Sequence, residues 1–400
     1  MGAIFLSPLY ILLNIYVLWR LLRWMSACSR HFDNRGVWIA VILIYTLLAT
    51  TVLTGFLITR EPLHHWLKMI GNYWLGILGI TLLVLLSFDL GRIILNHTLW
   101  KENHPSRRRF AIGGAFALAL ILVVSVYGIV HAWNIKVRED TLSVAKYCEI
   151  PELKVALIAD LHLGYNVGAP QMRQMVDKIN RADVDLVVLA GDIFDNEYEA
   201  IKDPDKVAAI LGEMESTYGT YACWGNHDVS EKILAGFTFD SGEAQEEDER
   251  FLAFLDKARV NLLEDEGVLI DDAFYLFGRK DPSKALKMGE DRLPADQVTD
   301  GMDKDKPIIV IDHQPLELAE LAAAGVDVDL SGHTHNGQIF PGNILLKFLW
   351  ENPYGIEDKD GMYSCVTSGA GLWGPAMRIG TDCEIMLLDI QFGTENTLAE

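Results

Sequence analysis

The hydrophobic pattern of this chain changes character near residue 133. Before that point apolar residues come in four long blocks, roughly residues 3–19, 37–59, 73–88 and 110–130. Each approaches the ~20 residues that carry a helix across a bilayer. Four such blocks in series predict a membrane region of about four helices over residues 1–133. The third block ends at Asp89 and Arg92, whose i, i+3 spacing suits an ion pair at the membrane edge. The first is too long, and too poorly matched to a small-residue cleavage site, to be a removable leader. After residue 134 the apolar runs shorten. Residues 155–159, 186–190, 308–311 and 326–330 have the length and composition of buried strands, and 172–179, 206–214, 251–258 and 316–323 have helical amphipathic spacing. That alternation predicts a layered α/β domain over residues 134–400.

Charge sharpens the division. The first 138 residues hold 13 Lys and Arg against 4 Asp and Glu, and the remainder holds 21 against 51. The acidic half argues against nucleic acid as a partner, because phosphate backbones are bound by basic surfaces. Its densest acidic run, residues 243–249, reads as solvated surface. Loop charges set an orientation. Arg20, Arg23, Arg30 and Arg35 follow the first block, and Arg92, Lys101, Arg107, Arg108 and Arg109 follow the third; Arg60 and Lys68 alone follow the second. The first and third loops are therefore expected in the cytoplasm. With four spans, the domain after Trp133 then lies on the extracytoplasmic side of the cell membrane. Trp66, Tyr73, Trp74 and Trp133 suit interfacial anchors among membrane lipids. The cysteines, Cys28, Cys148, Cys223, Cys365 and Cys383, show no CxxC spacing, which excludes a zinc ribbon and leaves a Cys365–Cys383 pair open.

The chemistry lies where the apolar runs stop. All five histidines beyond position 131 fall in short polar motifs: Asp160 and His162; Gly191 and Asp192; Gly225, Asn226, His227 and Asp228; Asp312, His313 and Gln314; Gly332, His333, Thr334 and His335. In open α/β sheets ligands gather at the carboxyl ends of strands. Mixed imidazole and carboxylate donors suit Zn, Fe or Mn better than Ca or Mg. Two cations ~3.5–4 Å apart need a negative group between them, and Asp192 is the natural bridge. A polynuclear site of this kind points to hydrolysis of a phosphate ester.

These motifs, in this order, resemble the calcineurin-like metallophosphoesterase superfamily over about residues 154–390. Residues 330–338 and 368–378 further resemble its bacterial membrane-associated branch, and the architecture is similar to that of transmembrane proteins with a metallophosphoesterase domain. The resemblance implies a four-layer α/β/β/α sandwich after the membrane helices. It implies that Asp160, His162, Asp192 and His335 hold one divalent metal, and that Asp192, Asn226, His313 and His333 hold a second. His227 would protonate the leaving oxygen as general acid, Asp228 would orient His227, and Asp195 would support the turn at Asp192. A bridging hydroxide would be the nucleophile. Asn336 stands where many relatives have glycine, and asparagine tolerates the left-handed backbone such a turn needs.

The expected substrates are phosphodiesters or lipid-linked phosphates and pyrophosphates. An apolar cluster at residues 344–350, close to His335, reads either as a packed helix or as a lipid-facing flap, and Leu372 and Trp373 suit the same surface. Arg279 and Arg378 suit phosphate contacts or surface ion pairs. A metal-binding sensor or scaffold without activity is the other reading, but a purely structural site has no use for His227.

Overall fold

The computed structural model describes residues 2–98, 106–231, 233–234, 237–238 and 247–393. Lys101 and the acidic run at residues 243–246 lie outside them. The chain divides into two compact units, the first holding the amino-terminal helices through His131 and the second beginning at Ala132.

The first unit contains α1 (Gly2–Cys28), α2 (Arg35–Ala49), α3 (Thr51–Leu57), α4 (Leu63–Thr98) and α5 (Arg107–Ala132). Among the described residues three helices, α1, α4 and α5, are long and apolar enough to cross a membrane, or four if α2 and α3, bent by 49° at their junction, are one broken span rather than a re-entrant loop. The bend falls at a run of threonines. Thr50 Oγ1 donates to the Thr46 and Leu47 carbonyls, and Thr51 Oγ1 to that of Leu48. Hydroxyls that bond back onto the preceding turn bend helices. The third apolar block does not stop at Asp89 and Arg92, because α4 runs through both. Arg92 pairs with Asp89 at 3.8 Å, as their i, i+3 spacing suits, and closer partners come from α1: Arg20 pairs with Asp89, and Tyr16 donates to it at 2.7 Å. The carboxylate is thus neutralised from another helix, which linear spacing did not reveal. A second polar chain ties α1, α2 and α4: Trp74 Nε1 donates to Tyr10 Oη, Tyr10 to the Ala49 carbonyl, and Tyr45 to Asn14. With no water in the hydrocarbon core, such groups must find partners within the bundle.

The second unit is built on two mixed six-stranded sheets. Its elements begin with β1 (Ile135–Tyr147), β2 (Glu152–Ile158), α6 (Ala169–Ala182), β3 (Leu186–Ala190), α7 (Pro204–Leu211) and β4 (Thr220–Cys223); next in chain order, the antiparallel pair β5 (Ile233–Leu234) and β6 (Phe237–Thr238) belongs to the first unit. The second unit continues with α8 (Glu249–Lys257), β7 (Val260–Leu262), β8 (Glu266–Ile270), β9 (Phe274–Gly278), α9 (Pro282–Met288), β10 (Ile308–Ile311), α10 (Leu318–Ala324), β11 (Val328–Ser331), α11 (Gly342–Leu346), β12 (Gly355–Lys359), β13 (Met362–Val366) and β14 (Cys383–Gly393). The first sheet has the order β1-β14-β2-β3-β4-β7, and the second β12-β13-β11-β10-β9-β8.

Strand alternation explains the layering. Val155, Leu157, Leu186 and Val188 of the first sheet share one core cluster with Leu276, Ile309, Ile311, Val328 and Leu330 of the second, so the sheets pack face to face. Successive side chains point to opposite faces of a strand. Ile308 and Val310 therefore face outward, into a separate cluster with Leu318 and Leu321 of α10. On the first sheet Ala156, Ile158, Val187 and Leu189 are also fully buried. The crossover helix α6 between parallel β2 and β3 covers that face, with Met172, Met175, Val176 and Ile179 inward. Helix, sheet, sheet and helix thus form four layers. Cys365 and Cys383 are free thiols, on β13 of one sheet and β14 of the other.

Candidate metal centre

Every sequence-predicted ligand sits just past a strand that delivers it. Asp160 and His162 follow β2, Asp192 follows β3, Asn226 and His227 follow β4, His313 follows β10, and His333 and His335 follow β11. The central parallel strands β2, β3 and β4 of one sheet, and β10 and β11 of the other, open into the same space. Beside a trio of His162, Asp195 and His227, two groups of convergent donor atoms made wholly of sequence-predicted ligands form there, Asp160 with His162 and His335, and Asp192 with His313 and His333.

One atom joins the groups. Asp192 Oδ2 lies 3.5 Å from His162 Nε2 and 3.2 Å from His313 Nε2. His162 Nε2 is 3.0 Å from His335 Nε2, which is 3.5 Å from Asp160 Oδ1. On the other side His313 Nε2 is 3.1 Å from Asn226 Oδ1 and 3.2 Å from His333 Nδ1. His313 Nδ1 lies 2.9 Å from the Ala190 carbonyl, which can only accept, so Nδ1 carries a proton and donates. In the neutral ring Nε2 is then a bare lone pair, yet it faces a carboxylate, an amide oxygen and another imidazole. Acceptors crowd together in this way around a cation. The donor set fits divalent metal ions, with imidazole, carboxylate and amide oxygen combined.

The backbone is shaped to bring these atoms in. Asp160, His162, Asp192, His333 and His335 all have positive φ, between 45° and 70°. Side-chain-bearing residues in this region store local strain, which concentrates at functional sites. Asn336 has φ 49° and ψ 34°, so the turn after His335 keeps its left-handed form with asparagine. Gly225 is required by proximity: a Cβ there would lie 2.2 Å from Asp192 Oδ1. Gly191, at φ 76°, would place a Cβ 2.6 Å from His313 Nδ1.

Electrostatics follow from burial. Burial pushes Asp160 up to about 6, against the pull of His313. Burial would raise Asp192 too, but attraction from His313 and His227 outweighs it and holds this carboxyl well below the usual range. Burial lowers His333 to about 3, with repulsion from His313 adding to it, and drives His335 well below its ordinary value. Neutral imidazoles are the ligating form. His313 goes the other way: burial opposes its charge, but Asp192 prevails and raises it. A proton on His313 would fill the role of a cation there, and a bound metal ion would take its place.

His227 stands beside this cluster. Its backbone N–H donates to Asp192 Oδ1 at 2.7 Å, and its Nδ1 lies 2.5 Å from Asn196 Oδ1. The expectation that Asp228 orients the ring is corrected here. Asp228 turns away, and its two carboxylate oxygens accept the backbone N–H groups of Phe194 and Gly225. It clamps the loops that carry Asp192 and Asn226. Asn196 is the residue that sequence reasoning missed. Its only signal was its place in the loop after Asp192, and its Nδ2 is anchored on the Val229 carbonyl. Asp195 stands 3.4 Å from His162 Nδ1, so it faces the ring of a sequence-predicted ligand. Lys284 and Lys287 of α9 donate to the carbonyls of Asp228 and Asn226 and brace the same loop.

The arginines are neither surface residues nor free for phosphate. Arg279 and Arg378 are fully buried. Arg279 pairs with Asp312 at 2.9 Å and with Glu317 at 2.8 Å. Arg378 donates to the carbonyls of His335, Ser368 and Gly371, holding the His335 loop against the segment after β13.

Two face-to-face mixed sheets, with imidazole and carboxylate donors at the ends of their parallel strands, define a metal-dependent hydrolase of the layered α/β class. Comparison with known proteins supplies the family. Residues 153–337 match the calcineurin-like phosphoesterases, and this chain carries the domain of that family of metal-dependent phosphoric-ester hydrolases. It is 28% identical to the transmembrane protein with metallophosphoesterase domain of Danio rerio, over 96% of this chain and 87% of that protein. It is also 28% identical to the protein of that name from Bos taurus, over 97% and 88%. An uncharacterized metallophosphoesterase of Helicobacter pylori is 30% identical over 63% of each chain. The likeness thus extends to vertebrates and is not confined to a bacterial branch.

Proposed function

We propose that this chain is a multi-pass membrane phosphoesterase that cleaves phosphodiesters, or lipid-linked phosphate and pyrophosphate esters, at a dinuclear metal site. The observation that carries this reading is the position of Asp192 Oδ2, within 3.5 Å of a histidine from each donor group. Asp160, His162, Asp192 and His335 would hold one ion, and Asp192, Asn226, His313 and His333 the other. When bound, two such ions supply an acidified water and counter-charge for the phosphoryl oxygens, with Mn, Fe or Zn suited to the donors. Asp192 then keeps both ends of the site in register, since its other oxygen is tied to the His227 backbone. His227 donates a proton from Nε2 to the leaving oxygen, because Nδ1 is engaged with Asn196. Burial holds this ring down to about 4, against attraction from Asp192. A bound phosphoryl anion pulls the proton back on, so the acid is loaded when substrate is present.

The lipid-linked part of the proposal rests on α11 and the turn after it. Ile344, Leu345, Phe348 and Leu349 are exposed, Phe348 by 83%. Trp350 closes the segment by packing on His333, ring centroids 4.9 Å apart. This favours the flap reading over a packed helix. The loop charges favour an extracytoplasmic domain beginning at about residue 134. Metal analysis of the purified chain, with hydrolysis measured on soluble and lipid phosphoesters, tests the proposal. We expect about two ions per chain and a kcat loss of roughly 10²–10⁴-fold for His227→Asn with metal retained. A metal-loaded parent that hydrolyses none of the panel would favour the sensor or scaffold reading instead.

A further inference from the structure

The segment between β13 and β14 sets one aromatic side chain against the proposed acid. Trp373 stands beside His227, with ring centroids 6.3 Å apart and ring planes at 62°. It is half-buried, whereas its neighbour Leu372 is buried, so the two do not form one exposed apolar face. The indole N–H meets no acceptor among the described residues, and the ring is held through its backbone instead. Gln338, buried in the loop that follows His335, grips that backbone twice. The Trp373 N–H donates to Gln338 Oε1 at 3.0 Å, and Gln338 Nε2 donates to the Trp373 carbonyl at 2.8 Å. The residues before Trp373 are tied as firmly. Ala370 and Gly371 donate their N–H groups to the carbonyls of Ala159 and Asp160, and a Cβ at Gly371 would lie 2.0 Å from the Leu161 carbonyl oxygen.

Such fixation adds little to the core, because the ring it presents is only half covered. It gives a wall to whatever approaches His227. Asn196 occupies the Nδ1 side of that imidazole, which leaves Nε2 for the proton. A departing oxygen sits within about 3 Å of Nε2 as it is protonated, and the carbon skeleton behind it comes within reach of an indole centred 6.3 Å from the imidazole. Resting on the phosphoesterase reading above, we propose that Trp373 is a specificity-determining residue, which packs against the departing alcohol and selects esters in which that alcohol carries an extended flat ring. Gln338 acts through it as a positioning residue. A flat ring gains from an indole both buried apolar area and an offset or edge-to-face contact, which a smaller group does not.

The test compares methyl phenyl phosphate with methyl 2-naphthyl phosphate on the full metal-loaded chain. Their departing alcohols are similarly acidic and differ in ring area. We expect the parent to favour the naphthyl ester by about ten-fold in kcat/KM. Trp373→Leu should reduce that ratio to about two-fold, and Trp373→Phe should leave it between, with bound metal as in the parent for both. Gln338→Ala should lower the ratio as Trp373→Leu does, since the ring is present but no longer held. Misfolding slows both esters together and does not imitate a change of ratio. Equal turnover of the two esters by the parent overturns the proposal, as does a parent-like ratio in Trp373→Leu. If Trp373→Leu fails to fold, Trp373→Phe decides: a parent-like ratio there is equally fatal. Hydrolysis of neither ester by the metal-loaded parent is a different result, which overturns the phosphoesterase reading and this proposal with it.

Discussion

The residue with the sharpest functional consequence is Asn196, because it sets which nitrogen of His227 is available. Asn196 Oδ1 takes the Nδ1 side of the ring, and the Asn196 amide is held by the Val229 carbonyl. Asn196→Ala should lower kcat by about ten- to a hundred-fold with KM and bound metal nearly unchanged, because it frees the ring without removing a ligand donor. Steady-state kinetics with metal analysis on the same sample checks this; a loss of metal in proportion to activity would mean that Asn196 supports the ion site. That the expected ligand residues converge was legible in the sequence because each motif pairs a metal-binding type with a strand end. Asn196 was not, because asparagine in a loop has many uses and its partner lies 31 positions away. The roles of Arg279 and Arg378 were hidden for a similar reason. A buried arginine depends on acceptors from distant loops, and neither composition nor spacing reports burial.

Among the elements, the strands and helices with continuous apolar character were readable, and those without it were not. β1 carries the sequence of an edge strand, with Lys136, Arg138, Glu139 and Asp140 interleaved and, among the described residues, one neighbour, β14. It shows no apolar run to find. α4 was cut short on paper because Asp89 looked like an ending, when a partner from α1 allowed the helix to continue. α11 was located but its exposed face was not. Leu346 and Trp350 are half-buried, and the exposed residues are Ile344, Leu345, Phe348 and Leu349. Leu345→Glu/Phe348→Glu/Leu349→Glu should therefore reduce turnover of phosphoester lipids in vesicles at least ten-fold and leave a soluble aryl phosphodiester within about two-fold, since an exposed apolar segment partitions into a bilayer interface by its buried area. Assaying both substrates on one preparation separates this from misfolding, which lowers the two together.

For the molecule as a whole, acidity and folding are coupled through carboxyls sealed between the sheets and their covering layers. Asp329 is fully buried, and burial, then the nearby Asp312, raises it to about 7 from an ordinary 3.8. The folded chain keeps this proton where the unfolded chain has lost it, so stability from this group is present below 3.8 and declines as pH rises towards 7. Asp329→Asn retains an acceptor for the Ser331 hydroxyl, which donates to Asp329 at 2.8 Å. It should stabilise the domain by on the order of 2 kcal/mol at pH 7 and by little near pH 4. Thermal melts of the detergent-solubilised chain at the two pH values measure the difference; a variant equally destabilised at both would show that the carboxyl is ionised throughout. The order of the first sheet has a consequence for biosynthesis. Among the described strands β1 leaves the ribosome first, yet its neighbour in the sheet, β14, spans Cys383–Gly393. Throughout translation of the intervening segments β1 waits as an unpaired edge, so a nascent chain interrupted before Cys383 cannot close its fold and displays that edge to the proteases that clear unfinished products.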